Sequence, residues 1–516
     1  VGRSAMSTNT TGACNVAIGQ NALLQNTEGD ANVAVGRFAL DNNTTADNNT
    51  AVGYESLGAN TTGALNTAVG KSALLANTEG HSNTAVGAIA LDANTTGIRN
   101  TALGYSALTT NTTGTGNVAV GICALLANTT AINNTAIGRQ TLYANTTGAE
   151  NVAVGSLALR YNTEGYSNTA VGNCSLYCNT TAINNTASGF KALFANTTGA
   201  SNTAVGRSAL LSNTTGEGNT SIGMCALNGT TTGAYNVGVG ANAGLSQTTG
   251  GNNVFVGDSS GRCSTTGCKN TAVGSGALYG AGGSGTVMQD NTAVGYRSLY
   301  TNTTGQGNTA VGVVALDANT TGIYNTAIGC GALGAHTSGT KNVAVGTRAG
   351  ITITDGQGNT VIGNEAGKNI VAGGGNTILG SITPAGAYSP PYDVTGSNND
   401  RLVLGSTTVT NAYVKVDWTV TSDLRDKMNI EPIPHGLNFV NQLNPIKFNF
   451  KKSREDDTPH GLKKYGFKAQ DILALEGEDN VIIDNEDPNS LKYVGSHLIP
   501  VLVNAIKELK AEIELL

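Results

Sequence analysis

Three observations predict a mainly β repeat protein with a second, different domain behind it. The motif Asn-Thr/Val-Ala-Val/Ile-Gly starts at Asn15 and returns every 17 residues through Asn270, and self-similarity at a fixed period is the signature of a repeat architecture. Proline is missing from that array, since all 9 prolines lie at Pro384 or later. Charge gathers at the other end, where residues 422–516 carry 28 of the 62 charged side chains. The predicted architecture is a parallel β-solenoid or β-roll shaft over 1–380, of about 22 coils, with a cap or transition segment over 381–421. A small α+β domain over 422–516 follows and closes in a helix at about 496–516.

The shaft has the consensus N-T-A-V-G-x-x-A-L-x-x-N-T-T-G-x-x. Four extra residues enter around Gly280–Val287, after which the phase resumes at Asn291 and holds to Asn376. Thr-Ala-Val is a short strand with β-branched ends and alternating faces. The following Gly permits a bend. Ala-Leu supplies a second short apolar segment, and Asn-Thr-Thr-Gly is turn chemistry. One such unit cannot bury a core by itself, but stacked units can. Val and Leu are expected to align as the internal ladders. With Val on one strand face and the small Ala on the other, the Ala face is expected to suit close approach by another chain, so an oligomeric rod is favoured. Proline is excluded because the ladder uses nearly every backbone N–H. At roughly 4.8 Å per strand the shaft would be a rigid spacer of roughly 100 Å.

These repeats resemble the head domains of trimeric autotransporter adhesins, which are left-handed parallel β-rolls wound as trimers. Similar repeats occur in virus and phage fibres. The resemblance covers 1–380, and the period of 17 is longer than the usual head repeat.

Between the two regimes, Pro384, Pro390 and Pro391 mark an irregular connection. Arg401-Leu402-Val403-Leu404-Gly405 has the pattern of a last degenerate strand. Ala412 to Val420 alternates like a final strand and holds Trp418, the single tryptophan; this segment is expected to cap the open end of the solenoid.

In the C-terminal domain the terminal helix is the clearest element. Ile499, Ile506 and Ile513 are spaced by seven, as are Leu502, Leu509 and Leu516, which makes an a/d seam. A helix packed only on its own domain is the plainer alternative to a self-associating coiled coil. Ile at a with Leu at d favours two strands when taken alone.

The segment Ser422-Asp423-x-Arg425-x-Lys427, then Gly436-Leu437, Leu443-x-Pro445, Phe448, Gly466-Phe467-x-Ala469-Gln470 and Ala505-Ile506-Lys507-Glu508-Leu509 resembles the peptidase S74 domain. That domain is the intramolecular chaperone at the end of phage tailspikes, endosialidases and related viral fibres. Lys468 departs from it, standing where an apolar residue is expected. The resemblance implies trimerisation followed by self-cleavage at the Thr421–Ser422 bond, with Ser422 as nucleophile and Lys427 as its base. A serine hydroxyl needs a neighbour to take its proton. A lysine can do so only when burial or a nearby cation lowers its pKa. Arg425 is expected to help in that, while Asp423 and Asp426 would oppose it. Read as bare residues, Ser422 would be a helix N-cap and Lys427 a solvated charge. A third arrangement pairs Ser422 with His435, His460 or His497 and an aspartate.

The composition argues against several other classes. A net charge of −6 without a basic stripe sets nucleic-acid binding aside. No apolar run is long enough to span a membrane. No metal or cofactor site is expected. The 8 cysteines form no CxxC pair and read as small buried side chains, with a disulfide between neighbouring coils as the alternative. The Asn-x-Thr sequences are acceptors for glycosylation only if the chain is secreted. No glycan-hydrolysing carboxylate pair recurs in the array, and the variable positions show no cluster that would mark a receptor or glycan site. The chain opens at Val1-Gly2, the tail of a repeat, and so reads as a fragment. The expectation is a homotrimeric tail fibre at a virion surface whose proteolysis is a single intramolecular turnover with no external substrate. The alternative is an extracellular or cell-surface adhesin of the trimeric autotransporter type, with a permanent, uncleaved trimerisation domain.

Overall fold

The computed structural model describes residues 1–280, 287–409, 412–415, 422–451, 454, 456–477, 480–486, 488, 489 and 491–516. The chain divides into two compact units, Val1–Ser406 and Thr407–Leu516.

The first unit is a parallel β-solenoid. Each repeat contributes one three-residue strand, from β1 (Val16–Ile18) to β22 (Thr377–Leu379), with 21 turns between first and last. Every strand pairs in parallel with the next at equivalent positions, as in Val16↔Val33, Ala17↔Ala34 and Ile18↔Val35. The degenerate segment adds β23 (Leu402–Leu404), which continues the sheet through Ile378↔Val403.

The faces differ from the expected ones. The central residue of each strand, Ala in most, points inward and is buried, as at Ala34, Ala51 and Ala153, while the flanking Thr and Val sit outward and Ile18 is 47 % exposed. The internal ladders are therefore Ala and Leu, not Val and Leu, and the small face is not available to another chain. The reason is steric: a three-residue strand turns one side chain inward, and the narrow coil leaves room there for a methyl group. Leu23, Leu40 and Leu57 are fully buried. They reach the interior through left-handed backbone (φ 51°, 48° and 50°), so the Ala-Leu segment is a turn rather than a second strand. Such a conformation costs an ordinary side chain about 1–3 kcal/mol and persists only where packing dictates it.

Asparagine forms the rest of the interior. The backbone N–H of Asn32 donates to Asn15 Oδ1 at 2.8 Å, and Asn32 Nδ2 donates to the Ala46 carbonyl at 2.8 Å. In a second ladder Asn43 Nδ2 donates to Asn26 Oδ1 at 2.8 Å and to the Ala46 carbonyl at 3.0 Å. The Asn of Asn-Thr-Thr-Gly is thus a buried structural amide as well as a turn residue. Asn60, Asn94, Asn111 and Asn145, all in Asn-x-Thr sequences, are fully buried and closed to glycosylation in the folded chain. The strand-ending glycine is obligatory: at Gly155 φ is 129°, and a Cβ would lie 2.6 Å from the Gly172 carbonyl oxygen. Phe255 replaces the inward Ala of its strand and is accommodated because Gly261 replaces a ladder Leu; a Cβ there would come within 2.3 Å of the ring. The cysteines form no disulfide and none is fully buried, with Cys14 and Cys330 exposed, contrary to the expected buried side chains.

The second unit contains α1 (Leu437–Gln442), the antiparallel pair β24 (Ile446–Lys451) and β25 (Pro459–Gly466), α2 (Ala469–Glu476), the short pair β26 (Ile483–Asp484) and β27 (Lys492–Tyr493), and α3 (Leu498–Glu514). Its core is Phe439, Ile472, Ile482, Ile483, Leu498 and Val501. Of the strand expected over 412–420, Ala412 to Lys415 are exposed and not in a strand, and no neighbouring strand pairs with them; the remainder, with Trp418, lies outside the described residues.

Candidate functional site: a Ser–Lys pair and an unpartnered helix face

Ser422 stands just before a 3-10 turn, Leu424–Asp426. The turn is capped by Asp423, whose carboxylate accepts the Arg425 N–H at 2.9 Å. Because Asp423 takes the capping role, the Ser422 hydroxyl is left for another partner. The turn then brings the chain back, Lys427 N–H bonding the Leu424 carbonyl, and Lys427 Nζ donates to Ser422 Oγ at 2.7 Å.

The Arg425 guanidinium grips Asp423 from the side, Nη2 at 2.6 Å and Nε at 3.1 Å, and holds that carboxyl below its usual range. Arg425 is thereby engaged with Asp423 instead of standing as a free cation beside Lys427. Ser422 through Lys427 are all exposed. Thr421, the other side of the expected scissile bond, lies outside the described residues. The three histidines are engaged elsewhere. His435 stacks on Phe439 with centroids 4.4 Å apart, His460 Nε2 meets the Thr408 carbonyl at 3.1 Å, and His497 Nδ1 meets the Val481 carbonyl at 2.7 Å.

Helix α3 has two apolar faces. Leu498, Val501 and Ala505 are buried within the unit. Ile499, Leu502, Ile506, Leu509 and Ile513 form the other face, with exposures from 37 % at Leu502 to 65 % at Ile506. Leu516, the last seam residue, lies beyond the helix end. Glu508 fixes the helix to α1 by accepting the Leu437 N–H at 2.6 Å, and Asn504 Nδ2 donates to the His435 carbonyl at 2.9 Å. Lys468 stands at the residue before α2 without a capping hydrogen bond, exposed and 3.8 Å from Asp471.

The variable positions of the shaft do cluster, which reading along the sequence did not reveal. Where the residue after the ladder Leu is aromatic in consecutive coils, the rings stack. Tyr177 and Phe194 lie face to face at 5.0 Å, with Arg160 Nη1 donating to the Tyr177 hydroxyl at 3.0 Å. Tyr279 and Tyr300 form a second such stack at 4.9 Å. Reading every 17th residue would have exposed the first; the second needs the four-residue insertion counted as well, since its members stand 21 apart. Among the described residues no group of His, Cys, Asp or Glu is placed to hold a metal ion, and no helix is long and apolar enough to cross a membrane.

Residues 422–482 match the model of the peptidase S74 family, described as the chaperone of endosialidase. No curated protein and no solved structure matches the chain. The match begins at Ser422, the residue held by Lys427. A β-solenoid followed by such a segment fits a phage tail-fibre-like protein and suggests a trimeric, fibre-like molecule.

Proposed function

We propose, from a stacked-coil shaft that runs into a chaperone-of-endosialidase segment, that this chain is the structural or adhesive fibre of a virion or phage-type particle. Its C-terminal unit assembles three copies and then releases itself by cutting Thr421–Ser422. The observation that carries the cleavage is the 2.7 Å contact from Lys427 Nζ to Ser422 Oγ.

The chemistry follows from that contact. Neutral Lys427 takes the hydroxyl proton as Ser422 Oγ attacks the Thr421 carbonyl carbon. The C–N bond breaks, the proton passes to the released Ser422 amine, and an ester joins Thr421 to Ser422 Oγ. Water then hydrolyses the ester to the Thr421 carboxylate and the free serine hydroxyl. Lys427 must lose its proton first. Burial of Lys427 on assembly would favour it, so cutting would follow correct trimer formation. Assembly itself is supported by the unburied Ile and Leu face of α3, an a/d seam in want of partners.

The second reading, a surface adhesin with a permanent trimerisation foot, is favoured by the exposure of Lys427. Intact mass of the expressed chain beside Ser422→Ala and Lys427→Ala separates the two. Self-cleavage predicts a fragment beginning at Ser422 from the parent chain only. A parent chain that assembles as a trimer and stays whole overturns cleavage and leaves the adhesin reading. A monomeric variant that cuts at the full rate breaks the coupling between assembly and chemistry.

A further inference from the structure

The solenoid carries a cleft built from side chains that its consensus leaves variable. Three consecutive coils contribute to it: Asp258 and Ser259 from one, Ser275 and Tyr279 from the next, Tyr296, Arg297 and Tyr300 from the third. It encloses about 280 Å³. Gly276 stands where the neighbouring coils carry Ser259 and Arg297, which keeps the floor open.

Its walls are fixed from behind. Tyr279 and Tyr300 stack 4.9 Å apart and 20° from parallel, Arg297 lies 4.2 Å over the Tyr300 ring, and Arg262 Nη1 donates to the Tyr279 hydroxyl at 3.2 Å. Tyr296 stays 54 % exposed and stacks on no other ring. The side-chain polar groups of Asp258, Ser259, Ser275, Tyr296 and Arg297 make no hydrogen bond to any described residue, and Arg297 Nε is buried without a partner.

We infer that this cleft is a binding site for a neutral hexopyranose ring. A sugar presents an apolar C–H face, which Tyr296 can cover, and a rim of hydroxyls that each donate and accept. Asp258 supplies a charged acceptor for that rim, Arg297 a charged donor, and the serines supply both roles. Pockets for drug-sized ligands run to about 300–1,000 Å³ and are mostly apolar, so this smaller and more polar cleft suits a single ring. An inorganic or phosphoryl anion would face the Asp258 carboxylate, and a purely apolar ligand would strand the charged groups. The inference goes beyond the assembly and cleavage reading and does not depend on it.

Saturation-transfer NMR on the full chain tests it, with methyl α-D-glucopyranoside, methyl β-D-galactopyranoside, N-acetyl-D-glucosamine and N-acetylneuraminic acid as probes. At least one of the three neutral probes should receive saturation on its ring protons. Tyr296→Ala and Asp258→Asn should each weaken its binding about tenfold, the loss expected when a stacking face or a charge-assisted hydrogen bond is removed. Both positions are exposed, so the melting of the shaft should not change. Transfer to no neutral probe overturns the inference, as does transfer that neither substitution weakens. Binding of N-acetylneuraminic acid alone, strengthened by Asp258→Asn, would mark an anion site and overturn it equally.

Discussion

His336 occupies a place that belongs to asparagine, and His336→Asn should stabilise the coils around it. In the second ladder each amide Nδ2 bridges to Oδ1 of the coil before and to the carbonyl three residues on, as Asn162 does at 2.7 and 2.9 Å. At residue 336 the imidazole keeps only the second of these, Nε2 to the Gly339 carbonyl at 2.9 Å. Asn319 Oδ1 and His336 Nδ1 are both buried without a partner. Asparagine at 336 would donate to Asn319 Oδ1. Its own Oδ1 would stay unpaired, because Ile353 follows in the ladder, so one orphan of the two is removed. An unsatisfied buried group costs about 1–3 kcal/mol, and the smaller side chain leaves some void, so the net gain should be about 1–2 kcal/mol. The pH dependence should change as well. Burial pushes the His336 pKa below its usual 6.5. The unfolded chain therefore takes up a proton that the folded chain refuses. Stability is fully present above about pH 6.5 and falls as the pH drops through that value. Stacked coils unfold with only their neighbours, so a local probe is needed: hydrogen exchange of peptides spanning 319–342, at about pH 7.5 and about pH 5.5, corrected for intrinsic rates. Exchange no slower in His336→Asn, or a parent chain equally protected at both pH values, would refute the reasoning.

Three further outcomes are expected. Phe255→Ala should cost its coils about 3–5 kcal/mol by opening a cavity, and adding Gly261→Leu should recover part of it by restoring the consensus pair; denaturant melting reads both. Glu476 is buried and its carboxylate accepts the N–H groups of Val481, Ile482 and Ile483 at 2.8, 2.5 and 3.0 Å. Glu476→Ala should therefore destabilise the C-terminal unit by about 2–4 kcal/mol, and an unchanged unfolding midpoint would show that water replaces the carboxylate. Ile506→Asp alters only the exposed face of α3, so light scattering should report loss of the proposed oligomer while circular dichroism stays the same. An oligomer that survives would place the contact elsewhere, the outward Val and Ile rungs of the shaft being the next surface to change.

The 17-residue period, the parallel register and the a/d spacing of Ile499 to Ile513 were legible from sequence because each is a matter of spacing along the chain. The Ser422–Lys427 pair was legible for the same reason: five residues and one short turn bring the two together. What spacing could not decide was direction. A strand of Thr-Ala-Val can bury either face, and only closure of the coil into a narrow tube sent Ala inward and Val out. The same closure drew the asparagines into two buried amide ladders, whose hydrogen bonds run to residues 14 and 17 positions away. Arg425 pairs with Asp423 because a 3-10 turn leaves them side by side, and Tyr279 meets Tyr300 because an enlarged coil still stacks on its neighbour. Period and register are local properties that a sequence carries. Inside and outside are decided by the space that remains once the coils have closed.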